Sequence, residues 1–132
     1  MKTINLMLAI CLLMLSYPMK AQNTDSQNMK VIVNQEPYYP AGDQKLYSLV
    51  YDKIVFPIKP KGTLINGKIV LSFDVLPDSS LTNIVVMQGI EEDIDQQVVN
   101  IFRQLKFAPS IQNSIPVKMN VMYTIQVAKR YN

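Results

Sequence analysis

The sequence has no histidine, no tryptophan and a single cysteine, Cys11. Nucleophilic and acid–base catalysis often depend on Cys or His, and structural zinc sites are built from the same two residue types. Only four glycines occur, and they form no phosphate-binding motif. We therefore expect a protein that is not an enzyme, that needs no cofactor or metal, and that has no evident small-molecule substrate.

Charge is also sparse, because Asp, Glu, Lys and Arg make up 17% of the chain. The formal charge is +3, but Lys2 and Lys20 fall within the first 21 residues. The remainder carries 11 basic and 10 acidic residues, a net charge of +1. Since nucleic-acid binding depends on a basic surface, no nucleic acid is expected as a partner.

The first 21 residues resemble a leader. Lys2 precedes fourteen mostly apolar residues, 4–17, and the small residue Ala21 follows. This pattern is typical of a secretory signal peptide, and the apolar run is shorter than the roughly 20 residues that span a bilayer. We expect cleavage after Ala21 and a periplasmic protein, with Cys11 in the core of the leader. An uncleaved leader that anchors the chain in the inner membrane is the alternative.

Three regions follow from this division of the chain. Residues 1–21 are the predicted signal peptide, and residues 22–35 are predicted to be a flexible N-terminal segment with a short extended stretch over 30–34. Residues 36–132 form the predicted folded domain.

Residues 67–89 predict a β-hairpin. In the first arm, apolar residues alternate with more polar ones, which places Ile69, Leu71, Phe73 and Val75 on one face. The segment 77–80 has the composition of a turn. In the second arm Leu81 is out of phase with the apolar residues after it, so a β-bulge or a late strand start is expected there.

Two stretches have the spacing of helices. The first begins near Asp43, must end by Phe56 because Pro57 disfavours helical geometry before it, and has its apolar stripe at Leu46, Leu49, Val50 and Ile54. The second begins with four acids within residues 91–95, and its apolar face is Ile94, Val98, Ile101, Phe102 and Leu105. The acids suit the positive end of the helix dipole, and a calcium site is the alternative explanation.

The last segment, residues 117–127, alternates strictly and predicts a half-buried strand of about 36 Å. The elements together predict an α+β two-layer domain, in which a three-stranded antiparallel sheet of order 2-1-3 is covered on one face by two helices. The last strand is then an edge, longer than its partner, and an unpaired edge attracts another strand. Residues 30–34 of the same chain, or a second copy in a homodimer, are the alternative covers for this edge.

The ordered motifs from Glu36 to Ala128 resemble the TonB C-terminal domain family. Tyr39-Pro40-Ala41-Gly42 is similar to that family's aromatic-Pro-Gly-Gly motif, and Ile54-Val55-Phe56-Pro57 is similar to its Ile-x-Tyr-Pro motif. The hairpin arms around Pro77-Asp78, then Phe107-Ala108-Pro109 and Pro116-Val117, follow in the expected order. The sequence departs from the family at Ala41 and Ser79, where Gly is usual, and at Phe107, where Trp is usual.

The resemblance implies a function in TonB-dependent transmembrane transport across the cell envelope. Domains of this family bind a short extended segment, the TonB box, of an outer-membrane transporter by β-strand addition, in which main-chain hydrogen bonds supply affinity. Carried over to this sequence, the resemblance implies a protein-binding surface made of Phe56, Pro57, Val117, Lys118, Met119, Asn120, Val121, Met122, Tyr123, Thr124, Ile125, Gln126 and Val127.

A full transducer needs a membrane anchor with a functional histidine and a long proline-rich spacer. This sequence has no histidine, and the 14 residues 22–35 reach about 50 Å when fully extended. We therefore expect an exported stand-alone binding module. A degenerate membrane-anchored transducer is one alternative. The other is a secreted inhibitor or accessory subunit that uses the loop Pro37 to Gly42, whose Tyr38 and Tyr39 resemble interface anchors unless they pack on the first helix.

Overall fold

The computed structural model describes residues 32–132, so the predicted signal peptide, Cys11 and residues 22–31 lie outside the described part. Six strands and two helices are formed there. In chain order they are β1 (Val33–Gln35), α1 (Asp43–Lys53), β2 (Leu64–Val75), β3 (Leu81–Gln88), α2 (Glu92–Arg103), β4 (Ser110–Gln112), β5 (Ile115–Val117) and β6 (Met119–Arg130).

The strands form two antiparallel sheets, and the class is α+β as predicted. The larger sheet has the order β3-β2-β6, and the smaller sheet has the order β1-β4-β5. The prediction of a single three-stranded sheet was therefore wrong, because three short strands form a second sheet. The first of these, β1, overlaps the short extended stretch predicted over 30–34 and pairs with β4.

The predicted hairpin is confirmed, and so is its bulge. Thr82 pairs with Asp74 and Val85 pairs with Ser72, so two residues of β3 lie opposite the single residue Phe73. The extra residue restores the phase of β3, because Leu81 is buried and Ile84 also packs against the core. A second register shift lies between Val70 and Leu71 of β2.

The core lies between the larger sheet and the helices. The predicted face of β2 is fully buried. The two helices bury most of their predicted apolar stripes, with Leu49 of α1 and Ile101 of α2 only partly buried. One cluster joins the two helices and the three strands of the larger sheet, and its largest side chains are Phe73, Phe102, Phe107, Leu46, Ile69, Leu71 and Ile94. Four aromatic rings meet at its centre, where Phe73 lies 5.4 Å from Phe107 and Phe107 lies 6.0 Å from Tyr123 between ring centroids.

Residues 110–117 form a hairpin, and the sequence pattern predicts no strand before residue 117 in this stretch. Its two turn residues, Asn113 and Ser114, have φ values of 49° and 66°. Positive φ at both central residues is the signature of the two-residue turns that join antiparallel strands. Pro116 is tolerated in β5 because that strand is at the edge of the smaller sheet.

The limits of the last strand also differ from the prediction. Val117 belongs to β5 and pairs with Ser110, Lys118 lies between the strands, and β6 runs from Met119 to Arg130. Its partner β2 begins at Leu64, three residues before the start of the predicted hairpin. Both strands have 12 residues and pair along their whole length, so β6 is not longer than its partner.

Candidate functional site

The candidate site is the side of β6 that faces away from β2. On its paired side, β6 matches β2 from Met119 to Arg130 without a register shift. Within residues 32–132, no strand pairs with its other side, since β6 ends the order β3-β2-β6. The segment around β1, an alternative cover, pairs with β4 instead. We call this unpaired side of β6 the free edge.

A contact from α1 shows which backbone groups face the free edge. The hydroxyl of Tyr51 donates a hydrogen bond of 2.9 Å to the carbonyl oxygen of Ala128, which therefore faces away from β2. In antiparallel pairing, the residues that exchange both hydrogen bonds with the partner alternate with residues whose groups face the other way. Since the register is unbroken, the outward set consists of Asn120, Met122, Thr124, Gln126 and Ala128.

A groove runs between α1 and the free edge. Tyr47, Thr124 and Gln126 line a depression of about 420 Å³, and Tyr51 and Asp52 continue its helical wall. Tyr47 and Tyr51 are four residues apart, which places both on one face of α1, and each is more than a third exposed. Neither tyrosine was among the predicted site residues, although their i, i+4 spacing on a predicted helix was a signal in the sequence.

The position of α1 over the sheet is set by polar contacts as well as by the core. The hydroxyl of Tyr123, in the middle of β6, donates a hydrogen bond to the carboxylate of Asp43 in the first turn of α1. Its ring lies 6.1 Å from that of Tyr47. The pKa of Tyr123 is raised above its usual range, mainly by partial burial and next by the hydrogen bond to Asp43. The neutral donor form of Tyr123 is therefore favoured, and it ties the helix to the strand.

Phe56 and Pro57 lie at one end of this site. The hydroxyl of Tyr131 donates a 2.6 Å hydrogen bond to the carbonyl oxygen of Pro57, and Lys129 Nζ lies 5.7 Å from the Phe56 ring centroid. The structure therefore brings these two predicted residues to the C-terminal end of β6. Of the other predicted residues, Met119 to Val127 lie along β6 itself. Val117 and Lys118 lie outside β6, and the Lys118 ammonium is 3.9 Å from Asp74.

The opposite edge of the larger sheet is a weaker candidate. β3 also has one side without a strand partner in the described part of the chain, but its pairing with β2 has two register shifts. Asn83 adopts a φ of 51° at the first of them. Bulges interrupt the regular spacing that an incoming strand needs, and they are a common protection of sheet edges. β6 has no such interruption.

The two tyrosines of the loop Pro37 to Gly42 lie in different environments. Tyr39 packs against the core, with its ring 5.6 Å from that of Phe107, whereas the Tyr38 side chain is 51% exposed. The backbone of Tyr38 pairs with that of Ala108. Tyr39 is thus a structural residue, and Tyr38 is the one residue of this pair that can contact a partner.

The acidic start of α2 has a local structural role. The carboxylate of Asp95 accepts a 3.0 Å hydrogen bond from the backbone N–H of Ile90, just before the helix. In the region 32–132, no three Asp, Glu, His or Cys side chains are grouped so that they could hold a metal ion. No helix in that region is both long and apolar enough to cross a membrane.

The described part of the chain is thus a small α+β domain with a regular edge strand beside a helix. The model of the Gram-negative bacterial TonB protein C-terminal family matches residues 52–126, more than half of the chain. The chain belongs to the TonB C-terminal family. Among proteins with curated descriptions, none matched this sequence. The family makes this a transport-related, protein-interacting module of a kind that is typically periplasmic in Gram-negative bacteria.

Proposed function

We propose that this protein is a non-enzymatic periplasmic module that binds an extended segment of an outer-membrane transport protein as an added strand on β6. Family membership supports an outer-membrane protein as the partner. The observation that carries the binding mode is the unpaired, unbulged side of β6, with alternate residues directed outward. Such an edge is a template for strand addition, in which main-chain hydrogen bonds supply affinity.

The groove beside α1 supports the same mode. A segment paired with β6 would place alternate side chains toward the core side of the sheet, because side chains on a strand alternate between faces. There they would meet Tyr47 and Tyr51. Tyrosine offers a large contact area with few rotatable bonds, so it suits a surface that selects among extended segments.

The first test is an affinity measurement with Thr124→Pro. Synthetic peptides that tile the periplasm-facing N-terminal segments of outer-membrane transport proteins serve as probes. Thr124 faces outward, so proline there removes a donor from the free edge without breaking the pairing with β2. We expect binding of the best peptide to weaken by about ten-fold or more, since at least one hydrogen bond is lost and the ring obstructs the partner strand.

Thr124→Ala is the matched control, because it removes the same side chain and keeps the N–H. Its affinity should remain within about two-fold of the original protein. Both variants must show the same circular dichroism as the original. Equal affinity of a folded Thr124→Pro variant would contradict strand addition. Val121→Pro would not be a suitable test, because the backbone of Val121 pairs with Phe73 of β2 and proline would break that pairing.

An alternative function uses the loop Pro37 to Gly42 as the contact of a secreted inhibitor or accessory subunit. The observation that favours it is the exposed ring of Tyr38. Tyr38→Ala, measured against the same peptides, separates the two functions. Strand addition predicts unchanged affinity, whereas loss of binding in this variant and not in Thr124→Pro would favour the loop.

A further inference from the structure

The free edge is not open along its whole length. At its C-terminal end, the outward carbonyl of Ala128 already accepts a hydrogen bond from the Tyr51 hydroxyl. An added strand would need the same carbonyl oxygen for its own N–H. Tyr51 therefore occupies the place that the next residue of a bound segment would take.

The residues around Tyr51 hold it in this position. Its ring packs 5.3 Å from the ring of Phe56, and the Phe56 ring is covered in turn by Lys129. Pro57 is fixed by the Tyr131 hydroxyl. Contacts from both α1 and the segment after it thus close the end of the edge, while Met122, Thr124 and Gln126 have no comparable side chain bonded to their outward groups in the described region.

We propose that Tyr51 is an end stop that sets the register and the maximum length of the bound segment. The added strand pairs with β6 from Asn120 to Gln126, about 23 Å of strand at 3.3 Å per residue, and ends there. A longer extended segment must bend away at Tyr51, so the site selects segments whose regular stretch is short. This inference depends on the proposed strand addition.

The test measures hydrogen exchange at single amides by NMR, with and without a saturating concentration of the best binding peptide from the tiled set. In the original protein, the amides of Met122, Thr124 and Gln126 become protected and that of Ala128 does not. In Tyr51→Ala, which opens the end of the edge and keeps a good helix former in α1, protection extends to Ala128.

Affinity supplies a second readout. The readout compares two peptides on the same protein, because Tyr51→Ala also removes contacts of the Tyr51 ring with a bound segment. On the original protein, a peptide that reaches only Gln126 and a version extended past that point should bind alike. On Tyr51→Ala, the extended version should bind about five-fold more tightly than the short one, the ratio that one additional hydrogen bond gives. Tyr51→Phe retains the ring without the hydroxyl, and should show an intermediate gain if both ring and hydroxyl obstruct the edge.

Protection of Ala128 in the original complex, or an unchanged set of protected amides in Tyr51→Ala, would overturn the end stop and leave strand addition standing. The absence of protection at all outward amides of β6, with a peptide that does bind, would overturn the proposed function and the end stop together. A merely structural role for Tyr51 would change stability without moving the boundary of protection.

Discussion

Two residues with positive φ shape the hairpin at the centre of the sheet. Ser79, in the turn, has a φ of 75°, and Asn83, at the bulge, has a φ of 51°. Asparagine tolerates this region, and its side chain here donates a 2.8 Å hydrogen bond to Asp74. Serine has no such advantage. The backbone of Ser79 makes its hydrogen bonds, since its N–H donates to Leu76 within the turn and its carbonyl oxygen accepts from the N–H of Phe107.

Ser79→Gly should therefore stabilise the protein. Glycine removes the steric cost of positive φ. This gain outweighs the loss that comes from the greater entropy of glycine in the unfolded chain, and the free energy of unfolding should rise by about 0.5–1 kcal/mol. The free energy of unfolding from urea denaturation measures it. Asn83→Gly is the control at the other position and should lower stability, because the bond to Asp74 is lost. A lower stability of Ser79→Gly would contradict this expectation, since the entropy of glycine in the unfolded chain would then outweigh the relief of positive φ.

At the scale of elements, one carboxylate connects all three strands of the larger sheet. Asp74 on β2 accepts hydrogen bonds from Asn83 on β3, at 2.8 Å, and from Asn120 on β6, at 2.9 Å. The pKa of Asp74 is held below its usual range. The hydrogen bond from Asn83 is the largest cause, followed by the hydrogen bond from Asn120 and the nearby charge of Lys118. This cluster lies where β6 begins, so it fixes the start of the free edge relative to the hairpin.

The pH dependence of unfolding tests this cluster. A carboxyl whose pKa is lowered by folding contributes stability above its unfolded pKa of about 3.9, and that contribution is lost as the pH falls toward the folded value. Asp74→Asn should remove part of the loss in stability between about pH 5 and pH 2. Asp52→Asn, on α1, is the control. The same acid dependence in Asp74→Asn and in the original protein would show that the carboxylate is not coupled to folding.

The elements differ in how strongly the sequence predicted them. The first hairpin strand and α2 were predicted correctly because their apolar residues repeat with a period that only one regular structure satisfies. The hairpin Ser110 to Val117 was missed because its turn lacks glycine and its second strand contains Pro116. Asn113 was the available signal, since asparagine is favoured where φ is positive.

At the scale of the whole molecule, the sequence predicted an edge strand but not how much of it is open. The alternation of apolar and polar residues locates β6. The contact between Tyr51 and Ala128 joins residues 77 positions apart, so no local sequence pattern indicates it. The same holds for Asp43 and Tyr123, which fix α1 above the strand. Residues 56 and 57 entered the predicted site through the family resemblance, and only the structure places them at the end of the edge.

In the proposed function, the backbone of β6 pairs with the backbone of a partner segment. Intermolecular NMR contacts between an isotope-labelled protein and its best binding peptide would detect this pairing at single residues. We predict contacts from peptide backbone protons to Met122, Thr124 and Gln126, in the alternating pattern of a β-ladder. A bound peptide whose contacts are confined to the loop Pro37 to Gly42, or to β3, would contradict the account.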